Sequence, residues 1–198
     1  MEKTYEVTIE GVSPMLMNRP SQLDIGEKSK TAKRETETPQ QIAEHKLYKD
    51  AKGKIYIPAT WFQGTIVEAG KQKKMMGKGS SKANYSKVAG SGVEINPFEI
   101  ILAGKAGKWK VFSILAVNPT THGRNVLHRP QFDKWGVKFE VIFDDAVIEV
   151  SVMKELFDIA GKSVGVGDWR PAKKGRFGKF QVVGWKEKKA GSKAGKKK

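Results

Sequence analysis

Apolar and polar residues alternate along the chain from Thr4 to Gly11, where Tyr5, Val7 and Ile9 share one face. A period of two residues is typical of a strand that buries one side and exposes the other. The pattern therefore predicts that the chain opens with a half-buried β-strand.

A helical period appears further along, from Ala59 to Lys71, where Phe62, Ile66 and Ala69 form one apolar stripe. The same kind of reasoning places the remaining elements. The further helices are a short one from Pro39 to about Tyr48, capped by Thr38, and one from Val152 to Ala160, between a Ser151 N-cap and a Gly161 C-cap. The further strands are Lys54–Ile57, Val93–Leu102 (interrupted near Pro97), Trp109–Val117, Val137–Phe143 and a final strand Lys179–Trp185.

This order of elements reads βαββαβ and predicts an α+β, ferredoxin-like fold, with an antiparallel sheet and two helices on one face. The third strand is either Trp109–Val117 or Val137–Phe143, and the other segment belongs to an inserted hairpin. Trp109–Val117 is apolar on both faces after Val111, which favours a central strand. Such a fold serves many functions, so function has to be argued from the side chains.

The charge changes the picture, because the chain carries 37 Lys and Arg against 21 Asp and Glu, a net charge of +16. A polyanion normally neutralises such an excess. Nucleic acid fits better than a membrane surface, since the sequence shows neither an apolar run that could span a bilayer nor a basic amphipathic helix of useful length. Residues 186–198 hold seven Lys and one Glu and predict a disordered tail after a single domain, 1–185. The absence of cysteine fits a cytoplasmic protein.

The segment Gly165–Phe180 combines four glycines, five cationic side chains and three aromatic rings in sixteen residues. Glycine allows close backbone approach, Arg and Lys bind phosphates, and aromatic rings stack on bases. The candidate nucleic-acid-binding residues here are Gly165, Gly167, Trp169, Arg170, Lys173, Lys174, Gly175, Arg176 and Phe177. Phe180 and Trp135 fit the core better than a stacking role.

Two further basic segments complete the predicted interface. The loop after Lys71 is too long and too polar for a simple connection, and its lysines are Lys71, Lys73, Lys74, Lys78, Lys82 and Lys87. The segment Pro119–Pro130 is predicted to be a second phosphate- or base-contacting loop, with Arg124, His128 and Arg129 as its candidate residues.

The glycines at 165, 167, 175 and 178, placed between the second helix and the last strand, resemble the glycine-rich loop of the RAMP superfamily of CRISPR-associated RNA-binding proteins. Ile57–Gly64 resembles the strand–Ile-Pro–helix junction of the same family. Asp168–Pro171 interrupts the glycine spacing. The resemblance implies that the loop contacts RNA and that the chain assembles along the strand, with itself or with other RAMP-like subunits. Lys174–Val182 also resembles the RNA-stacking motif of RRM domains.

Nucleotide-binding motifs are excluded by their spacing. A P-loop ending in Gly161-Lys162-Ser163 needs a glycine where Leu156 stands, and a dinucleotide fingerprint needs one at Arg170. The sequence therefore predicts no cofactor, and it predicts no metal site, because two His six residues apart without a nearby carboxylate are poor ligands.

Three functions remain open at this point. The leading one is a non-catalytic protein that binds single-stranded RNA or DNA. It could belong to a CRISPR system or to a phage or mobile element. The second is a metal-independent, guide-processing endoribonuclease, which the family also contains, with His45, His122 or His128 as general base. The third is a ribosome- or virion-associated basic protein that packs nucleic acid.

Overall fold

The computed structural model of the chain describes residues 1–20, 37–75, 83–102, 108–117 and 122–188. Its helices are α1 (Pro39–Glu44), α2 (Ala59–Gln72), α3 (Ser86–Gly92) and α4 (Val150–Ile159). Its strands are β1 (Glu2–Gly11), β2 (Met15–Leu16), β3 (Tyr56–Pro58), β4 (Val93–Asn96), β5 (Glu99–Ile101), β6 (Lys110–Val117), β7 (Arg124–Phe132), β8 (Gly136–Asp144) and β9 (Phe180–Lys188). None of the helices in these ranges is long and apolar enough to cross a membrane.

The main sheet is antiparallel, with its strands in the order β4-β8-β1-β9. Helices α2 and α4 cover the same face of it. The ring of Phe139 on β8 lies 4.7 Å from that of Phe62 on α2 and 6.3 Å from that of Phe157 on α4. The chain order β1-α2-β4-β8-α4-β9 is βαββαβ. The predicted α+β, ferredoxin-like fold is confirmed.

The third strand of this plan is β8, and the alternative segment forms an inserted hairpin. Strands β6 and β7 pair with each other and with β2 in a separate sheet, in which β6 is an outer strand. The prediction of a central strand at Trp109–Val117 is therefore wrong. Leu115 and Val117 are 54% and 57% exposed. The residues of the opposite face, Phe112 among them, turn toward the glycine-rich segment.

The second long helix differs from its predicted ends. It begins at Val150, so that Ser151 lies inside the helix and Glu149 precedes it. Beyond Ile159 it continues as a π-helical turn, and the left-handed backbone falls on Gly165, with φ of +71°, instead of Gly161. Gly161 has a packing role, because a Cβ there would collide with the carbonyl oxygen of Phe180.

Several smaller predictions are confirmed. Thr38 caps α1 in a reciprocal arrangement with Gln41, although the helix ends at Glu44 instead of continuing to Tyr48. Phe180 is 2% exposed, and Trp135 is 4% exposed, with its indole N–H donating to the carbonyl oxygen of Ser13 at 2.8 Å.

The chain is divided at Pro97, as expected, so that β4 joins the main sheet while β5 pairs with β3. Strand β9 extends to Lys188, and the first residues of the predicted tail thus belong to the sheet. The rest of the predicted tail, 189–198, lies outside the described residues.

Candidate nucleic-acid interface

The segment Gly165–Lys179, which we call the loop arm, folds back on itself before the chain enters β9. The backbone N–H of Val166 donates to the carbonyl oxygen of Gly178 at 2.9 Å, and that of Phe177 donates to the oxygen of Trp169 at 3.1 Å. A short 3₁₀ turn lies between the two limbs of the arm. The loop predicted from glycine content is therefore an ordered, hairpin-like element.

The loop arm is also attached to strand β2 and to the connection that precedes it. The N–H of Gly178 donates to the carbonyl oxygen of Pro14 at 2.8 Å, and the N–H of Asp168 donates to the oxygen of Leu16 at 2.9 Å. These contacts satisfy backbone groups that a free loop would leave to water. The backbone of the arm is accordingly held in place before any ligand arrives.

Two glycines explain how the arm can be so closely packed. Gly167 has φ of +79°, and a Cβ there would collide with the carbonyl oxygen of Leu16. A Cβ at Gly175 would collide with the carbonyl oxygen of Trp169 across the arm. These positions require glycine for contacts within the protein. Their predicted contact with nucleic acid stays a prediction.

One side of the arm faces α2 across a cleft of about 240 Å³, which we call the helix cleft. Its lining consists of Thr60, Trp61, Gly64, Thr65, Glu68, Gly165, Val166, Gly167, Arg170, Ala172 and Lys173. The guanidinium of Arg170 donates from Nη1 to the oxygen of Gly167 at 3.1 Å, whereas its buried Nε has no partner among the described residues. The carboxylate of Glu68 is paired with Lys71 at 2.6 Å, so this wall does not repel an anion strongly.

Trp61, which lines the helix cleft, forms an aromatic pair with Tyr48. The indole ring meets the ring of Tyr48 edge-on, with centroids 5.6 Å apart. The Arg19 guanidinium lies 5.9 Å from the centre of the same tyrosine ring. Burial raises the pKa of the Tyr48 hydroxyl. Sequence reasoning passed over Trp61 as a site residue, because its neighbours form a helical core stripe.

The other side of the arm faces the β6–β7 hairpin across a larger cleft of about 640 Å³, which we call the hairpin cleft. Its lining consists of Ser13, Pro14, Phe112, Ile114, Gln131, Trp169, Lys174, Gly175, Arg176 and Phe177. The Phe112 ring lies 5.2 Å from that of Phe177 and 6.5 Å from that of Trp169. Phe177 is only 9% exposed, so it supports the wall more than it offers a free face.

Four of the five cations of the loop arm are divided between the two clefts. Arg170 and Lys173 line the helix cleft, and Lys174 and Arg176 line the hairpin cleft. Lys173, Lys174 and Arg176 are exposed, and within the described part of the chain they form no ion pair. Sequence reasoning predicted these four residues but could not assign them to different sides.

An ion pair connects the hairpin to the arm. Nε of Arg129 on β7 lies 3.1 Å from Oδ2 of Asp168, and the two side chains are 13% and 25% exposed. Arg129 is thus committed to a partner within the protein, which leaves less of its charge for a phosphate. Asp168, the residue that interrupts the glycine spacing, positions the arm against β7. His128 contacts the hydroxyl of Ser113 at 2.8 Å.

The remaining predicted cations are distributed unevenly. Lys71 and Lys73 are paired with Glu68 and Glu155, each at 2.6 Å. Lys74, Lys87 and Arg124 are exposed. Lys78 and Lys82 lie outside the described residues. Lys71 lies next to the helix cleft, because its partner Glu68 is part of the lining. The role of the whole group in binding stays a prediction.

The three histidines do not form a cluster with carboxylates in the described part of the chain, where no group of metal-ligating side chains occurs. His45 lies 3.6 Å from Glu37 and is half exposed, and His122 has a left-handed backbone with φ of +53°. A role of one of them as general base stays untested.

The protein resembles known proteins in its structure but has no match among the sequences compared. No protein-family model and no curated protein sequence matches the chain. The structure is similar to a chain in the cryo-EM structure of the Type III-B Cmr-beta bound to cognate target RNA, with a TM-score of 0.55 and 13% identity. The match covers 94% of this chain and 60% of that chain, so this chain spans less than two thirds of its neighbour's length. At this identity the likeness establishes the fold alone.

Proposed function

We propose that the protein binds single-stranded nucleic acid, most favourably RNA, as a non-catalytic RAMP-like subunit of a ribonucleoprotein. The strand would follow the loop arm, with its phosphates on Arg170, Lys173, Lys174 and Arg176. The same geometry would accommodate a single strand of DNA. Assembly along the strand, with further copies or with other subunits, belongs to this proposal.

The observation that carries the proposal is the contrast between committed and uncommitted cations. Lys71, Lys73 and Arg129 have carboxylate partners. The exposed cations of the loop arm have none among the described residues, although the ordered backbone holds them close together. Keeping such like charges together costs free energy, and an external anion would relieve this cost.

A polymer fits this arrangement better than a single nucleotide. The cations lie on both sides of the loop arm, at the rims of the helix cleft and the hairpin cleft. A mononucleotide phosphate would occupy one cleft only, whereas consecutive phosphates can contact several cations along the arm. The structural neighbour is a chain of a complex bound to cognate target RNA, which supports RNA as the polymer.

The salt dependence of binding tests the proposal. The triple variant Lys173→Ala, Lys174→Ala and Arg176→Ala should weaken binding of a labelled single-stranded RNA. The slope of log K against log salt should fall by about 0.7 for each lost phosphate contact, or about 2 in total. Fluorescence anisotropy over a series of salt concentrations measures both quantities.

A matched control removes the same charge elsewhere. Lys49, Lys138 and Lys188 are each paired with a carboxylate, Glu44, Glu6 and Glu140 respectively. Their triple alanine variant should keep the wild-type slope to within about 0.7, which is the change expected from one phosphate contact. Equal slopes for the two triple variants would mean that net charge alone drives binding, and the assignment of the loop arm would be wrong.

The non-catalytic part of the proposal has its own test. Structured and unstructured RNA, incubated with the protein in the absence of metal, should remain intact. Clean cleavage that disappears in His45→Ala, His122→Ala or His128→Ala would instead favour the endoribonuclease. Equal affinity for single and double strands would favour a protein that only packs nucleic acid.

A further inference from the structure

We propose that the hairpin cleft binds one unstacked nucleobase of the bound strand, while the phosphates on either side of it contact the rim. This inference rests on the proposed function and adds a base-binding subsite to it. It assigns phosphates alone to the helix cleft, and a base together with its neighbouring phosphates to the hairpin cleft.

The walls of the hairpin cleft are suited to a flat apolar group. Phe112 and Ile114 project from β6 on the side of the arm, and Pro14 and Trp169 are also part of the lining. Phe112 and Trp169 are only partly buried, so they keep accessible surface, whereas Phe177 is 9% exposed and packs against Phe112. The volume of about 640 Å³ lies within the usual range for small-ligand sites.

The backbone at Trp169 is a second, independent observation. Its φ is +49°, in the left-handed region that bulky residues rarely adopt. The conformation is held by two hydrogen bonds, from the N–H of Trp169 to Oδ1 of Asp168 at 3.0 Å and from the N–H of Phe177 to the Trp169 oxygen at 3.1 Å. Unfavourable backbone of this kind persists where the surrounding structure supports it, and it concentrates at ligand sites. Here it places the indole at the hairpin cleft.

The polar groups of the cleft favour a base over an apolar peptide side chain. Gln131 is part of the lining and is 8% exposed. Its Nε2 donates to Asp133 at 2.5 Å, which leaves its amide oxygen to accept a hydrogen bond. An exocyclic amino or ring N–H group of a base can donate to this oxygen. Lys174 and Arg176 form a cationic rim, and none of the described residues that line the cleft is a carboxylate. The rim thus attracts the phosphates that accompany a base.

The test separates the base from the backbone. Two labelled strands of equal length are compared, one of uridine nucleotides and one in which every base is replaced by hydrogen. Because stacking of one base contributes about five- to 150-fold in affinity, the wild-type protein should bind the uridine strand at least about fivefold more tightly. Equal binding of both strands, with an unchanged salt dependence, would overturn the base subsite and leave the proposed function standing. Failure to bind either strand would overturn both.

Two variants locate the effect in the hairpin cleft. Ile114→Trp fills the cleft, and Phe112→Ala removes one wall. Each should bring the ratio of the two affinities close to one, while the affinity for the abasic strand remains as in the wild type, which also shows that the variant is folded. Phe98→Ala is the matched control, because Phe98 is 59% exposed and does not line the cleft. A wild-type ratio in both cleft variants would mean that bases bind elsewhere and would refute the inference.

Discussion

The ion pair between Arg129 and Asp168 should stabilise the protein measurably, because it joins two elements that are far apart in sequence. Nε of Arg129 lies 3.1 Å from Oδ2 of Asp168. Asp168→Asn keeps the size of the side chain and the oxygen that accepts from Trp169, but it removes the charge. Arg129→Met keeps most of the aliphatic stem. Together with the double variant these substitutions form a thermodynamic cycle.

The exposure of the pair sets the expected magnitude. Fully exposed pairs contribute about 0–1 kcal/mol, whereas removing one partner of a buried pair costs about 3–5 kcal/mol. With 13% and 25% of the side chains exposed, the pair lies between these limits. We expect a coupling free energy of about 2 kcal/mol, in line with hydrogen bonds to charged groups. For a chain of this length either single variant should lower Tm by about 4–8 °C.

Urea unfolding followed by tryptophan fluorescence measures the four free energies of the cycle. The control cycle uses Lys49 and Glu44, a pair 2.6 Å apart whose side chains are 36% and 51% exposed. Its coupling should stay below about 0.5 kcal/mol. If the Arg129–Asp168 coupling is no larger than this control, the pair does not hold the loop arm to the hairpin, and the structural role assigned to Asp168 is wrong.

Two further predictions follow from the same region. Gly175→Ala should destabilise the protein by about 1–3 kcal/mol in urea unfolding, because the new Cβ would meet the Trp169 carbonyl, whereas Gly92→Ala, with open space around it, should be neutral or stabilising. Hydrogen bonds from Lys110 and then Gln131 lower the pKa of the Asp133 carboxyl. The corresponding stability is present above the pKa of the unfolded chain and is lost as the pH falls through the lower, folded value. An NMR titration should show this low pKa, and Lys110→Met should raise it; an unchanged value would contradict the assignment.

Much of the core could be predicted because its signals are local. The alternation around Val7 and the stripe through Phe62 each report one face of one element, and both residues are fully buried. The order of such elements then restricts the topology to few arrangements. The prediction of strand position failed for a segment that is apolar on both faces, because such a pattern fits a central strand and also a strand that packs against a loop. Trp109–Val117 looks like a central strand, but its apolar residues face the loop arm on one side and solvent on the other.

The ends of α4 show the same limit on a smaller scale. Gly161 follows the last predicted helical residue and therefore resembles a C-cap, yet its lack of a side chain allows close packing against Phe180. The left-handed turn falls four residues later, at Gly165. Sequence cannot distinguish a glycine required for its φ from one required for space, because the second requirement comes from a distant residue.

By itself the sequence determined the βαββαβ plan, the basic character and the concentration of glycines, cations and aromatic rings in Gly165–Phe180. Residue types are sufficient for these conclusions, since burial periodicity and charge are properties of neighbouring residues. Only the tertiary structure decided which cations remain uncommitted and which cleft each one faces. Arg129 and Arg176 are the same residue type, but Arg129 forms an ion pair with Asp168 whereas Arg176 is exposed to solvent. Such pairing depends on contacts between β7, the β1–β2 connection and the loop arm, which the linear order of residues does not encode locally.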